Sequence, residues 1–325
     1  MKFYRLKKYL IIIVVLNALA ISLVSLSSRT GLASLLYFYS PYSNYGSNTA
    51  DDQVMCRGLI SNSTNAIAIL VAHSDFAELS SRLTQLDARL LDNCSSTILL
   101  FHTGFPFSSE IAQILRATRR RVIFRNVDKY FASFPDDFDP YANDPTFVKR
   151  GKWNYHQMIR FWFKLIFETN EIQQFEYIMR LDSDSRLIGK WFNVFELMRA
   201  RQLVYIANEQ HLELERILPG TMNLQKFFFA YLNQTKLVAQ DQRKVSLAFR
   251  KSSIRTYYNN FEVFQTKFFR QVGVRAWINA IDASHGIYKY RWGDAMLRYL
   301  TLALFAKDYQ IGHRTLLDLS YCHPC

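Results

Sequence analysis

From Asn65 onward, short apolar runs alternate with segments of helical period, and that alternation confines the chain to a few folds. Ala66–Ala72 (AIAILVA) reads as a strand that ends at His73-Ser74-Asp75. Leu79, Leu83, Leu86 and Leu90 then repeat at helical spacing across Phe76–Leu91. Thr97–Phe101 predicts a second strand, Ser109–Arg119 a helix, and Arg121–Arg125 a third strand. Strand–helix–strand order of this kind argues for a parallel sheet with crossover helices. Phe134–Thr146, dense in Pro and Asp, reads as a loop. Asn154–Glu168 predicts a helix capped by Asn154, with Gln157 three residues on. Tyr155, Ile159, Trp162 and Ile166 would form one face of it; His156, Arg160 and Lys164 would form another. A helix over 193–201, a strand over 203–207 and a long helix over 225–247 complete the reading.

Within that pattern one strand carries chemistry. The run Phe175–Leu181 empties directly into Asp182-Ser183-Asp184. Alternate residues of an extended chain point to one side, so the two carboxylates can reach one hard cation. Oxygen ligands suit magnesium or manganese, which neutralises a phosphate leaving group. Open α/β sheets gather ligands beyond the carboxyl ends of their strands, where this pair stands. An isolated D-x-D is also compatible with a plain acidic turn.

The N-terminus sets the compartment. Lys2, Arg5, Lys7 and Lys8 precede an uncharged run from Tyr9 to Leu26, long enough to cross a bilayer with the basic end in the cytosol. A signal anchor is expected, with a cleaved signal peptide as its rival. Either delivers the remainder to the secretory lumen, where sequons at Asn62, Asn93 and Asn233 fit. Cys56, Cys94, Cys322 and Cys325 allow three disulfide pairings there. The formal net charge is +13, with a further basic cluster at Arg116, Arg119, Arg120, Arg121 and Arg125. A lumenal protein meets no nucleic acid, so the cluster is expected to be a solvated face near an anionic donor or membrane surface.

Several segments, in order, resemble one family. They are Tyr155–Phe161 (YHQMIRF), Tyr177–Asp184 (YIMRLDSD), Asn260-Phe261-Glu262, Phe268-Phe269-Arg270, Gly286–Ala295 (GIYKYRWGDA) and Tyr321-Cys322-His323-Pro324. The chain from about residue 66 resembles glycosyltransferase family 15, the fungal-type GDP-mannose mannosyltransferases, which are type II Golgi proteins. The resemblance implies an α/β, GT-A-like fold: a Rossmann-like mixed sheet flanked by helices, here behind an N-terminal transmembrane helix. The expected organisation is a cytosolic tail (1–8), a signal anchor (9–26), a stem (27–64) and a lumenal transferase domain (65–325). It further implies manganese (or magnesium) as cofactor, GDP-mannose as donor, a mannose-containing glycan as acceptor, and transfer with retention.

Carried over residue by residue, Asp182, Asp184 and His323 are the implied metal ligands. Glu262 and Asp294 are the implied acids near the transferred sugar. Tyr155, Arg160, Arg291 and Trp292 are expected to contact substrate. Two positions depart from the family pattern: Asp182-Ser183 stands where Glu-Pro is usual, and Ala72-His73 where an Arg-Asn pair often faces the nucleotide. Two other readings remain at this stage. One is a carbohydrate-binding or scaffold protein on a transferase fold. The other is thiol-disulfide exchange at Cys322-His323-Pro324-Cys325.

Overall fold

Seven strands side by side set the architecture of the computed structural model, which describes residues 63–72, 75–144, 152–217, 220 and 222–324. The expected membrane helix and the stem up to residue 62, with Cys56, Asn62, His73 and Cys325, lie outside the described residues. Among the described residues no helix is long and apolar enough to cross a membrane.

In chain order the strands are β1 (Asn65–Val71), β2 (Leu90–Leu91), β3 (Thr97–His102), β4 (Val122–Asn126), β5 (Tyr177–Asp182), β6 (Arg186–Ile188) and β7 (Trp191–Phe192). There follow β8 (Tyr205–Ala207), β9 (Gln210–Leu214), β10 (Phe249–Arg250), β11 (Ser253–Tyr257), β12 (Phe261–Gln265), β13 (Ile311–His313) and β14 (Ser320–Cys322). The main sheet has the order β13-β8-β12-β5-β1-β3-β4. Strands β5, β1, β3 and β4 run parallel, as the alternation predicts. Strand β12 enters antiparallel between β5 and β8, which makes the sheet mixed.

Both faces of the sheet are covered. Ala66 and Ala68 of β1 pack into one buried cluster, while Ile67 and Ile69 pack into another on the opposite face. A strand buried on both sides must be apolar at every position, which explains the unbroken AIAILV run. Helices α1 (Phe76–Arg89) and α2 (Ser108–Ala117) lie on the second face, α3 (Asn154–Phe163) on the first. α4 (Val194–Ala200), capped by the Asn193 side chain, also covers the second face. On the first face lie α5 (Asn223–Thr235), α6 (Gln242–Ala248), α7 (Val272–Ala283), α8 (Gly286–Tyr290) and α9 (Asp294–Phe305).

Three local expectations fail. The helix expected over 154–168 stops at Phe163, and Leu165–Glu168 continues as a tighter 3-10 turn. Asn154 is its first residue, not its cap; Trp153 precedes it, and Gln157 instead bonds Ser133 O and the Tyr288 hydroxyl. The long helix over 225–247 is two helices, broken where Lys236 turns left-handed at φ 56°. The basic cluster is not all solvated either. Arg120 is buried and bridges Asp87 at 2.7 Å and Asp92 at 2.8 Å.

Candidate active site

A cavity of about 460 Å³ opens beyond the carboxyl ends of β1 and β5. Leu70 forms part of its floor; Asp75, Glu78 and Arg82 come from the start of α1, and Met158 and Trp162 from α3. Asp182, Ser183, Asp184 and His323 close the remaining wall.

Strand β5 ends at Asp182, and the chain turns at once through Ser183 and Asp184. Hydrogen bonds fix that turn. The Ser185 hydroxyl shares a short hydrogen bond with the Tyr321 hydroxyl, which donates to Asn260 O at 3.0 Å. Arg82 donates to the Ser183 carbonyl from across the cavity. Tyr321 belongs to β14, paired antiparallel with β6, and the ribbon carries the next residue but one, His323, to the aspartates. His323 Nε2 lies 2.9 Å from Asp184 Oδ1 and 3.9 Å from Asp182 Oδ2. Its Nδ1 meets the Tyr258 hydroxyl at 3.1 Å, an outer partner that fixes the ring's orientation.

These three residues fit a divalent ion by donor chemistry, because two carboxylates and an imidazole suit manganese. Around an octahedral ion at about 2.1 Å, adjacent ligand atoms lie about 3 Å apart and opposite ones about 4.2 Å. The two separations from His323 fall within that span. No three such side chains among the described residues already close on one common point, however. Asp182 Oδ1 is turned instead towards Arg180 Nε, at 3.1 Å. Burial pushes the Asp182 carboxyl up to about 6, against the pull of Arg180.

Beneath the cavity the charges are self-paired. Arg180 Nη1 donates to Asp294 Oδ2 at 2.6 Å, and Asn259 donates to the same oxygen at 3.0 Å. The Arg180 guanidinium lies 4.3 Å from the centre of the Trp162 ring, whose other surroundings include the cavity. Burial opposes its charge, but Asp182, Asp294 and Glu262 overcome that and raise its pKa above the ordinary value. Glu262 of β12 stands directly opposite Arg180 of β5 in register. It is fully buried, and Arg298 and Tyr205 occupy its oxygens.

The sequence-derived residues therefore divide. Asp182, Asp184 and His323 come together at the cavity, with Asp294 close behind through Arg180. Tyr155 lies on the cavity-facing side of α3, three residues before Met158, and is 40% exposed rather than part of the core. Arg291, at φ 55°, holds its guanidinium 4.6 Å above the Tyr155 ring. Arg160 is engaged elsewhere: Asp282 takes its fork at 2.7 and 2.9 Å, and Ser133 O the remaining arm, so it braces α3 against α7. Trp292 is engaged elsewhere too. It is 2% exposed and packs so tightly on Gly286 that a Cβ there would fall 2.0 Å from its ring. Glu262 does not reach the cavity at all. Arg180, Arg298, Arg82 and Tyr258 were missed. For two of them a signal existed, since an arginine inside a buried apolar run, as in YIMRLD and MLRYLTLALF, requires a buried partner.

The glycolipid 2-alpha-mannosyltransferase family model matches residues 42–324. The chain belongs to that family. Its similarity to individual members is low: 24% identity over 286 residues to the probable mannosyltransferase KTR4 of Saccharomyces cerevisiae, covering 82% of this chain and 61% of that protein. The glycolipid 2-alpha-mannosyltransferase of the same yeast is 22% identical over 241 residues, covering 69% of this chain and 53% of its own length. The chain thus spans little more than half the length of these relatives. Among solved structures, the mannosyltransferase Ktr4p of S. cerevisiae superposes with TM-score 0.70 at 21% identity, over 85% of this chain and 74% of that one. Core-mannan synthase A of Aspergillus fumigatus, in a Mn/GDP form, superposes with TM-score 0.65 at 18% identity, over 85% and 76%. The mixed α/β fold of this family member matches theirs.

Cys94 and Cys322 are each disulfide-bonded. Cys322 ends a strand and does not begin a helix, the setting that activates an exchanging cysteine, so the thiol-exchange reading loses its support.

Proposed function

We propose that this family member is a metal-dependent hexosyltransferase that moves mannose from GDP-mannose to a mannose-containing glycan, with retention at the anomeric carbon. The observation that carries the reading is the meeting of Asp182, Asp184 and His323 at the mouth of a cavity beyond β1 and β5. Core-mannan synthase A, in its Mn/GDP form, supports manganese and a guanosine diphosphate donor by analogy.

In this reading Asp182, Asp184 and His323 hold the ion. When bound, it neutralises the diphosphate as the leaving group departs, an effect worth several kcal/mol in metal-assisted chemistry. Arg82, at the cavity wall, gives the phosphates a second positive partner. Trp162 and Met158 offer an apolar wall, and Asp294 presents a carboxylate beneath the sugar. Tyr155 and Arg291 guard the side from which an acceptor would approach, a ring with a cation fixed over it.

We place residues 65–325 in the Golgi lumen, behind a stem (27–64) and a type II anchor (9–26) with residues 1–8 in the cytosol. Support comes from the basic-then-apolar N-terminus and from Asn93 and Asn233, both exposed. Glycosidase treatment of the native protein should lower its mass; an unchanged mass would argue against a lumenal domain.

The test of function is donor hydrolysis by the full-length protein in detergent, over a panel of nucleotide sugars and with manganese titrated. We expect GDP-mannose to be cleaved, and chelation to abolish cleavage. Manganese-independent cleavage, or none with any donor, would remove the transferase reading and favour a binding protein.

A further inference from the structure

Glu262 is the carboxylate that the family resemblance sets nearest the reacting sugar, yet its surroundings leave it no free oxygen. Oε2 accepts from the Tyr205 hydroxyl at 2.6 Å and from Arg298 Nε at 2.8 Å. Oε1 accepts from Arg298 Nη2 at 3.1 Å, and Arg180 Nη1 lies 3.8 Å away. The side chains of Glu262 and Arg298 are both wholly inaccessible to solvent. Turning Glu262 towards the cavity would strand Arg298 unpaired in the core, and an uncompensated buried charge is strongly destabilising.

The same contacts show what the pair does. Across the molecule the charges alternate: Arg298, Glu262, Arg180, then Asp182 and Asp294 together. Arg298 of α9 closes on Glu262 as a two-pronged fork. Glu262 faces Arg180 across the β12–β5 ladder, so the guanidinium is held from behind by charge and in front by the Trp162 ring. Held there, Arg180 offers Nε to Asp182 Oδ1 and Nη1 to Asp294 Oδ2. It thereby leaves Asp182 Oδ2 facing His323. Both hydrogen bonds to Asp294 fall on Oδ2, and among the described residues none is found to Oδ1.

We propose that Glu262 and Arg298 are a positioning pair outside the reacting surface. They fix Arg180, which sets Asp182 for the cation and Asp294 for the sugar. The inference rests on the metal-dependent transferase reading. It differs from that reading in making Asp294 the acid that faces substrate.

The experiment measures Mn2+ affinity directly, by the electron paramagnetic resonance signal of free Mn2+ without donor, on the full-length protein. Donor hydrolysis is followed alongside. Loss of a residue that orients a metal ligand typically costs about 10–100-fold in metal affinity or activity. Glu262→Gln and Arg298→Met should each weaken Mn2+ binding by about that factor and lower kcat with it. The double variant, in which neither charge is orphaned but Arg180 still lacks Glu262 behind it, should recover stability while Mn2+ binding and kcat stay weakened. Arg180→Lys keeps the charge and the Glu262–Arg298 pair but loses the fork; it should show the same weakened binding even if Glu262→Gln fails to fold. A Glu262→Gln protein with wild-type Mn2+ affinity and a kcat deficit alone would overturn the proposal and return Glu262 to the sugar. Wild-type protein that binds Mn2+ but cleaves no donor would overturn the transferase reading, leaving the titration to judge the positioning. Wild-type protein that binds no Mn2+ would overturn both.

Discussion

Two groups of charge meet at Asp182, and they are built on opposite principles. At the cavity wall, the side chains of Asp182, Asp184 and His323 remain 29%, 45% and 17% exposed, with two carboxylates against one imidazole. Below it, Arg180, Glu262, Asp294 and Arg298 are at most 9% exposed and balance two charges of each sign. The lower group balances its charge without any visitor, as buried ions must to survive desolvation. The upper group does not: two carboxylates face one imidazole, and burial drives its deepest acid up to about 6. Charge balance separates a scaffold from a binding site here better than residue type does.

The comparison can be broken most sharply at the upper group. Asp182→Asn or Asp184→Asn should lower turnover on the order of 10²–10³-fold, as loss of a key electrostatic stabiliser does, with the melting temperature nearly unchanged. Near-normal rates in the Asp182 variant would move the metal elsewhere.

The lower group should respond in stability. Arg298→Met alone takes the forked counter-ion from buried Glu262 and leaves it Tyr205 and the more distant Arg180, at a cost of about 3–5 kcal/mol. Joined to Glu262→Gln, the same change should cost far less, and urea unfolding of the three variants would reveal the difference. Equal losses for the single and double variants would mean that the pair is not coupled.

A smaller effect sharpens the contrast through a buried group that neither cluster uses. His156 is fully buried, neither ring nitrogen finds a hydrogen-bond partner among the described residues, and burial followed by the Arg291 charge lowers its pKa to about 4. The unfolded chain then binds the proton more readily, so stability is whole above about pH 6.5 and falls as pH drops towards 4. The loss should be at most about 3 kcal/mol, and His156→Leu should flatten that limb of the stability curve. An acid limb unchanged by the substitution would assign the loss to other groups.

Much of this was legible in the chain, and what was not has physical causes. Strands β1, β3 and β5 and helix α1 follow from local period, and their ends lie within a few residues of expectation. The cap at Asn154 failed because Trp153 docks among Phe134, Phe138 and Tyr288, and tertiary packing sets where α3 begins. The break at Lys236 carries no Gly or Pro to announce it. At the site, the spacing of Asp182 and Asp184 brings both to the cavity, because both lie where β5 ends and the chain turns. The fate of Glu262 could not be read, since Arg298 is 36 residues away and meets it only because β12 enters the sheet antiparallel. Strand–helix alternation encodes no such insertion.

The β6–β14 ribbon has a kinetic consequence. His323 reaches the aspartates only when Ser320–Cys322 zips onto Arg186–Ile188, a pairing across more than 130 residues. Contacts so distant in sequence form late, because loop closure must precede any gain from them. All seven strands of the main sheet are synthesised before β14 emerges. A nascent chain at that stage would hold its two carboxylates without their imidazole, so the cation site matures last, after the framework that surrounds it.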